Sequence, residues 1–138
     1  MTEYAETDLA QTALANSGHG TPSKLFTYSG KMVIDKHFQW MKDYGIDGVA
    51  VQHFIGSVGS TILKSPNSAS LKIKQAAEST GRMFYICYDI SSTGMEANWD
   101  DAIQFDWVYN MEQNNKLTAS PGYARVGNRP FFHWKLSF

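Results

Sequence analysis

The chain has 138 residues, with 12 Lys and Arg against 13 Asp and Glu, a formal net charge of −1, and 43% apolar residues. That length fits one globular domain, and a near-neutral balance without Lys/Arg blocks excludes the clustered basic face that nucleic acid requires. Cys87 is the only cysteine, so no intrachain disulfide holds the fold, and no apolar run approaches the ~18–20 residues that span a bilayer. The stretch from Met1 to Asn16 is polar and acidic where a signal peptide is basic and then apolar, so the sequence reads as a cytosolic protein or a mature secreted one.

Residues 1–23 are polar and small, ending in Ser17-Gly18-His19-Gly20-Thr21-Pro22. A helix within Glu6 to Ala15 has only Leu9, Ala10, Ala13 and Leu14 to bury, so this part reads as a loosely attached arm. The globular part spans 24–138. Its first helix is expected over 31–44: Val33, Ile34, His37, Phe38 and Met41 form one stripe, Ser29 is placed to cap the start, and Gly45 to end it in a left-handed turn. Next comes Ile46 to Phe54, a nearly continuous apolar run that suits a strand buried on both faces. The same grammar repeats. A helix over 68–80 runs through Leu71, Ile73, Ala76 and Ala77, Gly81 closes it, and Met83 to Ile90 is a second strand. A third helix, near 99–113, opens on a capping box of Asn98 with Asp101, and Phe131 to Leu136 is a third strand after a Gly/Pro-rich connection.

Three helix-then-strand units imply a parallel α/β sheet with flanking helices, joined by a short fourth strand from Leu25 to Tyr28. Doubly wound and barrel architectures both fit this grammar.

Several phrases carry a resemblance to a known group. Lys24 to Tyr28, then Val33 through Trp40 to Gly45 and on to Val51-Gln52-His53-Phe54, resembles glycoside hydrolase families 71 and 99, which include endo-α-mannosidases and xylosidase/arabinosidase-type proteins. Ala76-Ala77-Glu78 to Arg82, the strand ending Tyr88-Asp89-Ile90-Ser91, the Asp106-Trp107 pair and Ser120-Pro121-Gly122-Tyr123 with Arg129-Pro130 follow in the same order. The resemblance implies a (β/α)8 barrel, of which this chain holds less than half, since a whole barrel needs at least ~200 residues. Two phrases depart from the group. Val51-Gln52-His53-Phe54 stands where relatives read like Leu-Gln-Arg-Phe, and Trp134 to Phe138 replaces a Gly-Phe-Gly-Phe-like ending. The group's Glu-rich catalytic phrase has no counterpart before Phe138, so the chain is expected to supply part of a sugar groove without the catalytic acids.

In parallel α/β folds, binding groups collect at the carboxyl ends of strands. Gln52, His53, Tyr88, Asp89, Trp134 and Lys135 occupy those ends. Asp89 is the candidate catalytic or sugar-binding carboxylate, with capping of its own turn through Ser91 or Ser92 as the plainer role. Gln52, His53, Tyr88, Trp134 and Lys135 are the candidate substrate-binding residues, the aromatic pair by stacking on sugar rings. Alternation places Val49, Val51 and His53 on one side of their strand and Met83, Tyr85, Cys87 and Asp89 on one side of the next, and these two sets are expected to line one mouth. The four histidines lack zinc spacing, and Gly56-Ser57-Val58-Gly59-Ser60 is not a phosphate loop, so neither metal nor cofactor is expected. Trp40, Phe105, Trp107 and Tyr109 are candidates for an exposed aromatic surface. The expected partners are a carbohydrate ligand and a second copy docking through the open sheet edge, with no nucleic acid and no membrane. A non-catalytic sugar-binding or self-associating module, or a truncated inactive fragment, is the alternative reading.

Overall fold

The computed structural model describes residues 9–11, 24–26, 30–54, 68–90 and 99–135. Two short strands come first, β1 (Leu9–Gln11) and β2 (Lys24–Phe26), paired antiparallel with Leu9 opposite Phe26. This corrects one expectation. The segment near Leu25 pairs with the arm, at Leu9–Gln11, instead of joining the parallel sheet. The rest of residues 1–23 lies outside the described residues.

Helix α1 (Lys31–Asp43) buries Val33, Ile34 and Phe38, the stripe read from the sequence. It starts at Lys31, where it is expected, and ends one residue short of the expected 44; the N-cap is Gly30, without a side-chain cap bond, and Ser29, the expected cap, lies outside the described residues. Its end is as expected, with Gly45 at φ +70°, where a side chain would be strained. The Ile46 N–H donates to Met41 O at 2.8 Å and the Gly45 N–H to Lys42 O at 3.4 Å, the pair of bonds that closes a Schellman turn. Helix α2 (Ser68–Thr80) ends alike, with Gly81 at φ +66° and the Arg82 N–H on Ala77 O at 3.0 Å.

Strands β3 (Gly48–Phe54), β4 (Met83–Asp89) and β7 (His133–Lys135) form a parallel sheet in the order β3-β4-β7. The protein is therefore mixed α/β, with the three expected strands in the expected sense. Between β4 and β7 lie helix α3 (Trp99–Phe105), a π-helix over Asp106–Asn114, a 3-10 turn over Leu117–Ala119, and a small antiparallel pair, β5 (Arg125–Val126) with β6 (Arg129–Pro130). The expected third helix is present in extent, but its second half is wound more widely. Asn98, its expected cap, lies outside the described residues. The segment after the 3-10 turn braces the first half of β4: the Phe84 N–H donates to Gly122 O and the Ala124 N–H to Phe84 O, both at 2.9 Å.

One face of the sheet carries the core. Phe84, Ile86 and Tyr88 of β4 cluster with Ile34 and Phe38 of α1, Ala76 and Ala77 of α2, and Ile103, Met111, Leu117 and Tyr123, and Val49 and Val51 pack against them. On the opposite face Cys87 and Asp89 are buried in the centre, while Ala50, Gln52 and Phe54 of β3 and Met83 are exposed. β4 is thus the doubly covered strand. β3 is an edge strand with one exposed face, which corrects the expectation of burial on both sides; its apolar run comes from Ala50 and Phe54 facing outward as well as Val49 and Val51 facing the helices.

Candidate functional site

The register of β3 on β4 separates the strand-end residues into two groups. Gln52 lies beside Cys87 and His53 beside Tyr88. Parallel partners share a sheet face and successive residues alternate. Val49, Val51 and His53 therefore share a face with Phe84, Ile86 and Tyr88, and Gln52 shares one with Cys87 and Asp89. The single mouth combining His53 with Met83, Tyr85, Cys87 and Asp89 is corrected. Residues alternate within each strand as expected, but the pairing between the strands is offset by one residue from the one a shared mouth requires, which moves a whole set to the other side.

On the face away from the helices, the Gln52 Nε2 amide donates to Asp89 Oδ2, and Asp89 is 4% exposed. A carboxylate offers about four acceptor positions, and an amide holding one of its oxygens fixes the plane of the group. Lys135 stands at the register position next to Asp89, and His133 next to Cys87. Gln52, Asp89 and Lys135 thus occupy neighbouring positions at the carboxyl ends of the three parallel strands. Ser91 and Ser92, the capping alternative for Asp89, lie outside the described residues.

On the helix face a second cluster forms around Asp106, whose side chain is fully buried at the start of the π-helix. Tyr88 Oη donates to Asp106 Oδ2 at 2.7 Å, Asn110 Nδ2 donates to Asp106 Oδ1 at 2.6 Å, and His53 Nδ1 lies 3.5 Å from Oδ2. The His53 and Tyr88 rings meet edge to face at 5.8 Å. Burial pushes the Asp106 carboxyl up, but the donors His53, Asn110 and Tyr88 together outweigh it and hold the group below the ordinary aspartate range. Tyr88 is driven far above the usual tyrosine value, first by burial and then by the adjacent Asp106 charge and hydrogen bond. This cluster is a charge locked in the core, and it explains why His53 and Tyr88 sit where they do. Trp134 stands at the register position of Tyr88.

Asp106 and Asn110 were not singled out as site residues in the sequence. Asp106 was visible as half of the Asp106-Trp107 pair, while nothing in the sequence signals the wide winding that brings Asn110 to the same carboxylate. His37 is half-buried, stacked on Trp40 at 5.6 Å and lowered in pKa by burial, in keeping with a structural histidine. The expected aromatic surface divides: Phe105 and Tyr109 are exposed and meet at a tilt of 40° with centroids 4.7 Å apart, whereas Trp107 and Trp40 are half-buried.

Among the described residues, no group of three or more His, Cys, Asp or Glu side chains is placed to hold a metal, and no helix is long and apolar enough to cross a membrane. Comparisons with protein-family models, with curated proteins and with solved structures give no match to this chain.

Proposed function

We propose that the chain is a carbohydrate-active module related to glycoside hydrolase families 71 and 99, in which the parallel sheet is a segment of a (β/α)8 barrel and supplies part of a sugar-binding groove. The observation that carries this reading is the Gln52–Asp89 hydrogen bond at the carboxyl ends of β3 and β4, on the face opposite the helices. In a barrel that face is the interior, and its carboxyl-terminal rim is where substrates bind. An oriented carboxylate beside an amide suits a pair of sugar hydroxyls, each of which donates and accepts.

Hydrolysis by this chain is not part of the proposal. Glycosidases use two carboxyl groups flanking one bond, roughly 5–10 Å apart. The two buried aspartates at this end of the sheet, Asp89 and Asp106, belong to opposite faces, and Asp106 is committed to three donors. Titration of the full chain with α-manno-oligosaccharides and xylo-oligosaccharides, followed by calorimetry, tests the reading. Saturable binding that is weakened at least tenfold by Gln52→Ala and Asp89→Asn is the expected result. No binding in either series overturns it, and turnover abolished by Asp89→Asn overturns the non-catalytic part.

A specific observation favours a second reading, self-association: among the described residues β3 is an edge strand, and Phe54 of β3 and Met83 of β4 are 52% and 48% exposed on the open face of the sheet.

A further inference from the structure

A pocket of about 390 Å³ lies away from the Gln52–Asp89 pair, between the outer side of α3 with the following π-helix and the segment leading into β7. It is lined by Trp99, Asp100, Ile103, Gln104, Trp107 and Phe132, a predominantly apolar wall with one carboxylate and one amide. The Trp107 and Phe132 rings meet at 85° with centroids 5.1 Å apart, which gives the pocket an aromatic corner. Trp99, Ile103 and Trp107 recur four residues apart, so one helix side presents both indoles, with Asp100 and Gln104 as the parallel polar row.

We propose that this pocket binds a small quaternary ammonium ion, a positively charged nitrogen shielded by methyl groups. Three features select that chemistry. Aromatic faces, indole best of all, attract cations through their quadrupole. Asp100 lies in the wall with Asp101 beside it in the first turn of α3, and among the described residues no Lys, Arg or His lines the pocket, so the charge these residues bring is negative. Among the described residues the wall's polar groups are the Asp100 carboxylate, the Gln104 amide and the two indole N–H donors, fewer than the hydroxyls of a sugar ring require on burial, whereas a methylated ammonium centre carries no hydrogen-bonding group to strand. The volume sits at the low end of the roughly 300–1,000 Å³ of ligand pockets, which suits a small headgroup.

The test uses the ¹⁵N-labelled full chain and follows the indole N–H resonances of Trp99 and Trp107, assigned from single Trp→Phe variants, during titration with choline chloride. The uncharged carbon isostere 3,3-dimethyl-1-butanol and methyl α-mannoside are titrated in parallel. Saturable shifts with choline, at least tenfold weaker with the neutral isostere and weakened at least threefold by Asp100→Asn, are the expected result. Asp100 is exposed, so that variant is expected to leave the fold in place, and an unchanged spectrum elsewhere is the check. Equal affinity for the neutral isostere makes the pocket merely apolar, tighter binding of the mannoside makes it a sugar subsite, and absence of saturable shifts empties it of a small ligand; each of these overturns the proposal.

Discussion

A carboxylate with no exposed surface must be held by donors or give up its charge, and Asp106 is held by Tyr88, Asn110 and His53. Hydrogen bonds to charged groups contribute about 1.5–3 kcal/mol each, so Tyr88→Phe is expected to lower unfolding stability by about that amount, read from the urea midpoint at unchanged slope. The pH dependence has a definite sign. Because the folded carboxyl lies below its unfolded value, its contribution is complete above the unfolded aspartate value of ~3.9 and is lost as pH falls through the lower folded value. Asp106→Asn is therefore expected to be less stable at neutral pH and to lose less further stability below pH ~4 than the parent; equal acid slopes would show that Asp106 is not the group titrating. The sequence revealed His53 and Tyr88 as strand-end residues but not what they serve. Alternation gives the parity of each strand alone, and the offset between strands is set by backbone pairing and core packing that leave no local mark.

At the level of elements, Gly48 shows how tightly β3 and β4 are keyed. A Cβ there would lie 2.3 Å from the Met83 carbonyl oxygen and 2.7 Å from its carbon, and both are backbone atoms. Gly48→Ala thus requires the two strands to separate at their first paired residues, whereas Gly45→Ala meets nothing within 4 Å and carries only the strain of its positive φ. The expected losses are about 1–3 kcal/mol or more for Gly48→Ala and about 1 kcal/mol for Gly45→Ala, with the larger loss at Gly48 in chemical denaturation; a reversed order would show that the strands give way easily. Helices and parallel strands were legible because each rests on local periodicity and on glycines at helix ends. The π-helix was not, since Ile103, Trp107 and Met111 keep an ordinary helical spacing in the text, and the wide turn registers only in bonds such as the Asn115 N–H to Asn110 O at 3.1 Å. The pairing of β2 with β1 was equally hidden: three residues form too short a run to announce which sheet they join.

For the whole molecule, the asymmetry between the two sheet faces governs how the chain meets its surroundings. The helix face is filled by one continuous core, while among the described residues β3 ends the sheet with no strand on its outer side, and Ala50 and Phe54 of β3 and Met83 of β4 are exposed on the open face. An edge strand of this kind is a template for further pairing. Covering roughly 200 Å² of apolar surface at ~25 cal/mol per Å² contributes about 5 kcal/mol, which is of the same order as the loss of rotational and translational freedom on association, so a dimer on this face depends on the strand pairing added to it. The expected observation is a light-scattering mass that rises with concentration toward twice that of the chain, and that stays at the monomer value when Phe54→Lys puts a charge on the open face. Phe54 lies on the exposed side, so this variant is expected to keep the parent's melting temperature. A concentration-independent monomer mass, together with loss of solubility when residues 1–23 are deleted, is the contrary result: it would assign the cover to the chain's own N-terminal segment, whose β1 strand already pairs with β2.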